Sequence, residues 1–206
     1  MSKIKFFFQQ SWLLIFASLI FGLLLAVTNA ALQDKIEQNE QNKLNKKMAE
    51  LITDANSFEL VLDDVVIQLS KSKTVKTDIY RSIDSAGRTI GFAYIAEGPG
   101  FADKIKLVIA ADAKLTKFYG FKVLASSETP GFGDKIKDEF YNSQYTGAPF
   151  GKLELVKIGD DKKIDSEIVA ISGATVSSEA VIKIFNSYTN KVLEKLEAEG
   201  LTGNDK

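Results

Sequence analysis

Apolar and polar positions divide this chain into stretches of unlike character. From Trp12 to Leu32 the run WLLIFASLIFGLLLAVTNAAL carries no charge. As a helix rising 1.5 Å per residue it spans about 31 Å, the hydrocarbon thickness of a bilayer. From Asp34 to Asp54 the chain is polar and free of Gly and Pro, with Leu44, Met48, Leu51 and Ile52 at helical spacing. That pattern predicts a stalk that continues the apolar helix and docks onto a domain.

Strand patterns follow. Thr77–Asp84 and Thr89–Glu97 alternate on either side of Ser85-Ala86-Gly87-Arg88, which reads as a hairpin. Gly98-Pro99-Gly100-Phe101 interrupts the chain, Lys104–Ala111 makes a strand, and Leu115–Ala125 returns beside it after an Asp112 turn. The loop Ser126–Gly133 holds Pro130 and two Gly, which exclude regular structure. Asp134–Tyr141 reads as a short helix with Asp134 as its N-cap. Leu153–Ile158 and Glu167–Ile171 read as strands, separated by turn residues Asp160 and Asp161. Val181, Ile182, Phe185, Tyr188, Val192 and Leu196 then mark an amphipathic helix ending near Ala198. Unequal blocks of this kind predict an α+β domain with a mostly antiparallel sheet and flanking helices. The expected organisation is an N-terminal membrane anchor over 1–33, a helical stalk over 34–56 and a domain over 57–206. The aromatics Phe92, Tyr94, Phe118, Tyr119 and Phe121 belong to the strand core, and Lys71–Lys76 reads as a solvated loop.

Charge gives the anchor a direction. Lys3 and Lys5 precede the apolar run, which no Asp or Glu precedes; the remainder of the chain holds 24 basic and 27 acidic residues. The positive-inside rule therefore places the N-terminus in the cytoplasm and the domain outside the cell membrane. The competing reading is a cleaved signal sequence, since Thr28-Asn29-Ala30 offers small residues; the run is long for that. Near-balanced charge along the stalk marks a solvated face and gives no nucleic-acid partner.

Composition restricts the chemistry. Among 206 residues there is no Cys and no His. Disulfides, thiolate nucleophiles, iron–sulfur clusters, His-based triads and conventional zinc catalysis are excluded, and the acidic residues show no divalent-metal spacing, so no metal site is expected. What remains is carboxylate, Lys, Tyr or hydroxyl chemistry, binding alone, or a cofactor that brings its own reactivity.

Two loops carry candidate chemistry. Ser172-Gly173-Ala174-Thr175-Val176-Ser177-Ser178 leads from a strand end into the last helix. Free amide donors and the positive end of the helix dipole suit an anion such as phosphate, and Gly173 and Ala174 let backbone approach it. Simple helix capping by Thr175, Ser177 or Ser178 is the plainer alternative. In Glu128-Thr129-Pro130-Gly131-Phe132-Gly133 an acid and a hydroxyl stand beside Pro and small residues, a way to present hydrogen-bonding groups to a flat polar ring.

In this order behind one anchor, the two loops resemble the motifs of the FMN-binding domain family, and Glu97–Phe101 is similar to that family's Gly-containing turn. The family occurs in the G subunit of Rnf complexes and the C subunit of the sodium-pumping NADH:quinone reductase. The resemblance implies that Thr175 carries FMN through a phosphoester, installed by a separate flavin transferase. It implies that Glu128, Thr129 and Gly131 lie along the flavin ring, with Phe132 the stacking candidate. Ser172, Gly173, Ala174, Ser177 and Ser178 would surround the phosphate. By the same resemblance the chain is an electron relay in a membrane-bound ferredoxin:NAD⁺ oxidoreductase that moves Na⁺ or H⁺, with the other subunits and the lipid bilayer as partners. Its compactness favours the G-subunit type over the C-subunit type. Two positions depart from the family pattern: Ser126 stands where many members have His, and Val169 where many have Asp. The rival expectations are an exported module that grips a free phosphate compound, and a structural assembly subunit.

Overall fold

The computed structural model describes residues 3–70 and 73–202. The first element, α1 (Lys3–Leu51), is one continuous helix. The chain divides into two units between Lys43 and Leu44, inside the expected stalk. In the N-terminal unit the side chains of Trp12, Leu14, Phe21 and Leu25 are exposed. This is the one helix among the described residues long and apolar enough to cross a membrane. Such a surface is stable against lipid tails and unfavourable against water.

The second unit is built on a five-stranded antiparallel sheet in the order of the chain: β1 (Ser57–Ser70), β2 (Lys73–Ile83), β3 (Thr89–Pro99), β4 (Lys104–Asp112) and β5 (Phe118–Ser126). The β2–β3 hairpin turns where expected, with Asp84 Oδ1 accepting the amides of Ala86 and Arg88 and Gly87 at φ +79°. After β5 come a 3₁₀ turn (Gly133–Lys137), α2 (Glu139–Asn142), a second 3₁₀ turn (Ser143–Tyr145), the parallel pair β6 (Glu154–Val156) and β7 (Glu167–Val169), and α3 (Thr175–Ala198).

The sheet is buried on both faces. On β4, Ile105, Leu107 and Ile109 join one apolar cluster with the stripe Val181, Phe185, Tyr188, Val192 and Leu196 of α3. Val108 and Ala110 point the other way, into a smaller cluster with Leu44 and Met48 from the end of α1 and Ile52 just after it. This is the docking that the spacing of Leu44, Met48 and Ile52 predicts. Phe92, Tyr94, Phe118 and Phe121 are buried strand core, while Tyr119 is half-buried.

Several expectations are corrected. Strand β1 is not announced by the sequence pattern. Asp64 sits at φ +51° and the β1–β2 register shifts between Leu60 and Val65, which breaks the alternation that would mark a strand. Of the Lys71–Lys76 stretch read as loop, 73–76 form the start of β2, and residues 71 and 72 lie outside the described residues. Asp134 caps no helix: it lies inside the 3₁₀ turn, which begins after Phe132, and the α-helical turn starts only at Glu139. The strand expected from Leu115 begins at Phe118, because Asp112 Oδ1 accepts the amides of Thr116 and Lys117 and holds 112–117 in a turn.

Candidate functional site

The start of α3 is shaped by the residues before its first turn. Gly173 adopts φ +80°, a conformation L side chains rarely take, and Ala174 is the N-cap. No side chain caps this helix, so the capping alternative for Thr175, Ser177 and Ser178 does not hold. The hydroxyls of both serines are engaged elsewhere. Ser178 Oγ donates to Ala174 O and accepts from Ile171 N, both at 3.0 Å, tying the end of the β7 segment to the helix. Ser177 Oγ donates to Glu128 Oε2. The amides of the first helical turn are thus left for water or an anion, at the positive end of the dipole.

The Glu128 loop packs against this start. Thr129 O accepts the amides of Phe132 at 3.2 Å and Asp134 at 3.3 Å, closing a tight turn through Gly131 at φ +77°. Glu128 is buried, and its Oε1 accepts the amides of Phe101 at 2.8 Å and Ala102 at 3.0 Å. Ser126 Oγ accepts the amide of Glu128 at 3.2 Å, so the serine at this family-variant position helps fix the loop.

Between these segments lies a cleft of about 490 Å³, lined by Phe101, Thr129, Phe132, Gly133 and the run Gly173–Ser177. That size and mostly apolar wall suit a ligand of cofactor dimensions. Phe101, Phe132 and Val176 stand exposed around it, and Thr175 is half-buried on the wall. A Cβ on Gly173 would meet Phe132 Cδ1 at 3.7 Å, an ordinary van der Waals contact, so the left-handed backbone and not crowding calls for glycine here.

Of the residues singled out in the sequence, Thr129, Phe132, Gly173, Ala174, Thr175 and Ser177 share this wall. The others are placed differently. Glu128 lies behind the wall, Ser178 beneath it, and Gly131 at an exposed turn. Ser172 opens onto a second cleft of about 230 Å³ beside Lys135, Gln144 and Val169. Val169 is held through its backbone, its amide donating to Gln144 Oε1 at 2.7 Å and its carbonyl accepting from Nε2 at 3.3 Å. Sequence reasoning missed Phe101, Gly133 and Val176 as wall residues. Phe101 lies between β3 and β4, so only the folded sheet brings it to α3; its Gly-Pro-Gly setting was the available signal.

Beneath α3, Tyr141 OH lies 2.7 Å from Tyr145 OH and donates to Ser178 O at 3.2 Å. Burial pushes the Tyr141 and Tyr145 hydroxyls well above the ordinary phenol range. Both therefore stay neutral and serve as hydrogen-bonding posts. On β1 and β2, which contribute nothing to the cleft wall, the carboxylates of Asp63, Asp64 and Asp78 lie together, with Lys76 paired to Asp64.

Known proteins resemble this chain in sequence and in fold. Residues 100–190 match the FMN-binding domain family. The chain is 31% identical over 181 residues to the G subunit of the ion-translocating oxidoreductase complex of Shewanella baltica, covering 85% of this chain and 84% of that protein. It is 29% identical over 187 residues to the G subunit of the Na⁺-translocating ferredoxin:NAD⁺ oxidoreductase complex of Acetobacterium woodii, with 86% and 87% covered. The fold is similar to that of the crystal structure of NqrC from Shewanella oneidensis, with a TM-score of 0.56 and 21% identity over 71% of this chain and 73% of that one.

Proposed function

The chain belongs to the family of G subunits of ion-translocating oxidoreductase complexes, and on that premise we propose that it is a covalent-flavin electron relay, carrying FMN as a phosphoester on Thr175. The observation that carries this reading is the uncapped start of α3, with the Thr175 side chain on the wall of the cleft and the first-turn amides unclaimed by any side chain. The residues present fit the group. A phosphate bonded to Thr175 Oγ would meet backbone donors and the helix dipole, with no Cβ at Gly173 to hold it off. The flavin would supply the one- and two-electron chemistry that a chain without Cys or His lacks.

The chain's own residues bind and orient. Phe132 and Phe101 offer apolar surface to a flat ring from the two loops that face α3. Thr129 offers a hydroxyl at the same wall, and Glu128 acts from behind it. A covalent bond keeps a cofactor that would otherwise diffuse away outside the cytoplasm. Lys3 and Lys5 ahead of the span support an orientation with the N-terminus inside and the domain outside, where a flavin transferase would modify Thr175. In this scheme the partners are the other subunits of a ferredoxin:NAD⁺ oxidoreductase coupled to Na⁺ or H⁺ movement. The relay itself contains neither the nicotinamide site nor the ion path. The likeness to NqrC supports the shared fold alone.

Mass spectrometry tests the reading. The tryptic peptide holding Thr175, taken from a host with flavin transferase, is expected to carry a flavin-phosphoryl adduct that Thr175→Ala abolishes along with electron transfer by the complex. An unmodified peptide, with electron transfer intact in Thr175→Ala, would leave a plain phosphate-binding module or an assembly subunit.

A further inference from the structure

Glu128 is the acid that the domain buries among its described residues, at 5% exposure. A carboxylate taken out of water is strongly unfavourable unless donors surround it, and here three do. Oε1 accepts the amides of Phe101 and Ala102, and Oε2 accepts the Ser177 hydroxyl. Two glycines make the room. A Cβ on Gly133 would fall 2.6 Å from Oε2, and one on Gly100 would press against Oε1 and lie 2.6 Å from Asp103 O. The carboxylate is absent from the cleft wall, yet Phe101, Gly133 and Ser177, which it contacts or crowds, are all on it. One side chain from the loop after β5 therefore ties the β3–β4 turn to the first turn of α3.

We propose that Glu128 is a positioning residue. It sets the spacing between the Phe101 turn and the start of α3, and so holds a planar ligand in the cleft against Thr175. The identity of that ligand rests on the flavin reading above; the clamp rests on geometry alone. A neutral amide oxygen can still accept from the Phe101 and Ala102 amides, and its NH₂ can donate to Ser177 Oγ. Glu128→Gln is therefore expected to keep the clamp, whereas Glu128→Ala opens it.

The test uses the full-length, flavin-loaded chain in detergent and its Glu128→Ala, Glu128→Gln, Phe101→Ala and Glu128→Ala/Phe101→Ala variants. Iodide quenching of flavin fluorescence reports how far the ring is open to solvent, and amide hydrogen exchange reports the turn. Glu128→Ala is expected to raise the quenching constant several-fold and to speed exchange of the 100–103 segment by an order of magnitude or more. Exchange in β4 and the middle of α3 should stay near the parent's. Glu128→Gln should restore most of both effects. Phe101→Ala should reproduce the quenching, with no further rise in the double variant, because the two residues act in series. If the parent carries no flavin on Thr175 the earlier reading fails, and the exchange measurement still decides the clamp. Unchanged exchange at 100–103 in Glu128→Ala, or additive quenching in the double variant, overturns the proposal. Should Glu128→Ala unfold, seen as faster exchange throughout the sheet, Glu128→Gln and Phe101→Ala carry the decision: solvent exposure in Glu128→Gln as great as in Phe101→Ala also overturns it.

Discussion

Both faces of the five-stranded sheet are covered, and they are covered unequally. One face meets the last turns of α1 and the residue after it through Leu44, Met48 and Ile52, against Tyr80, Ala93, Val108 and Ala110. The other meets α3 and the segments around α2 through a much larger cluster rich in rings. There Phe185 stands 5.1 Å from Phe118, 5.6 Å from Phe121 and 4.8 Å from Tyr145, centre to centre. The cleft lies at the N-terminal end of α3, the helix packed on this ring-rich face. The unequal division separates two tasks: one face takes the end of α1 and the residue after it, and the other makes a ring-packed floor under the residues of the cleft wall.

The largest break should come from the ring-rich face. Phe185→Ala removes a fully buried ring in contact with three others, and such truncations cost about 3–5 kcal/mol. Denaturation of the detergent-solubilised chain, followed through the near-ultraviolet signal of its buried tyrosines, should show a loss of that order, and flavin loading at Thr175 should fall with it. Met48→Ala on the opposite face also empties a fully buried site, at about 2–3 kcal/mol. Its expected signature differs: proteolysis of the segment around residues 44–56 speeds up while the Thr175 adduct persists. Equal loss of the adduct in both variants would erase the division between the faces.

The sequence made these two faces unequally visible. The α3 stripe and the alternation of β3 and β4 follow helical and strand periods closely, so the sheet, the final helix and the docking of Leu44, Met48 and Ile52 could be read directly. Strand β1 could not. It lies at the sheet edge, Ile67 is its one fully buried residue among those described, and the turn at Asp64 shifts its register partway along. In the site, the glycines and hydroxyls around Thr175 marked out the segment that lines the cleft at the start of α3. The inward turn of Glu128 was not announced, because a carboxylate beside Pro and Gly reads as solvent-facing until the amides of Phe101 and Ala102 are folded over it. Phe101 depended on sheet register in the same way, as a residue distant in sequence that the β3–β4 turn delivers.

A smaller effect on the same face depends on pH. Tyr141 and Tyr145 are neutral and buried, with pKa values raised above that of the unfolded chain, near 10. Their contribution is complete below pH 10 and is lost as pH rises toward the folded values, since only the unfolded state sheds the protons. Stability should therefore hold through neutral pH and decline above about pH 10. Tyr141→Phe should flatten part of that decline, and at neutral pH cost about 1 kcal/mol for the lost hydrogen bonds to Tyr145 and Ser178 O. An alkaline profile identical in parent and variant would show that the tyrosine pair does not set it.

The smallest effect tests the two sides of α3 itself. Its inward stripe is the core, whereas Lys183 and Glu179 face outward and pair at 2.8 Å with most of the lysine exposed. An ion pair one helical turn apart in water gains little, because solvent screens it and both side chains lose freedom in forming it. Lys183→Ala should therefore cost no more than about 0.3–0.5 kcal/mol, and added salt should shrink even that. Two turns of helix thus hold residues whose loss differs roughly tenfold in cost, Phe185 against Lys183. Their order of importance follows from which side of the helix meets the rings. A Lys183→Ala penalty approaching that of Phe185→Ala would mean that this outer side is covered in the assembled complex, and measuring the variant in the isolated chain and again in the intact membrane complex separates the two situations.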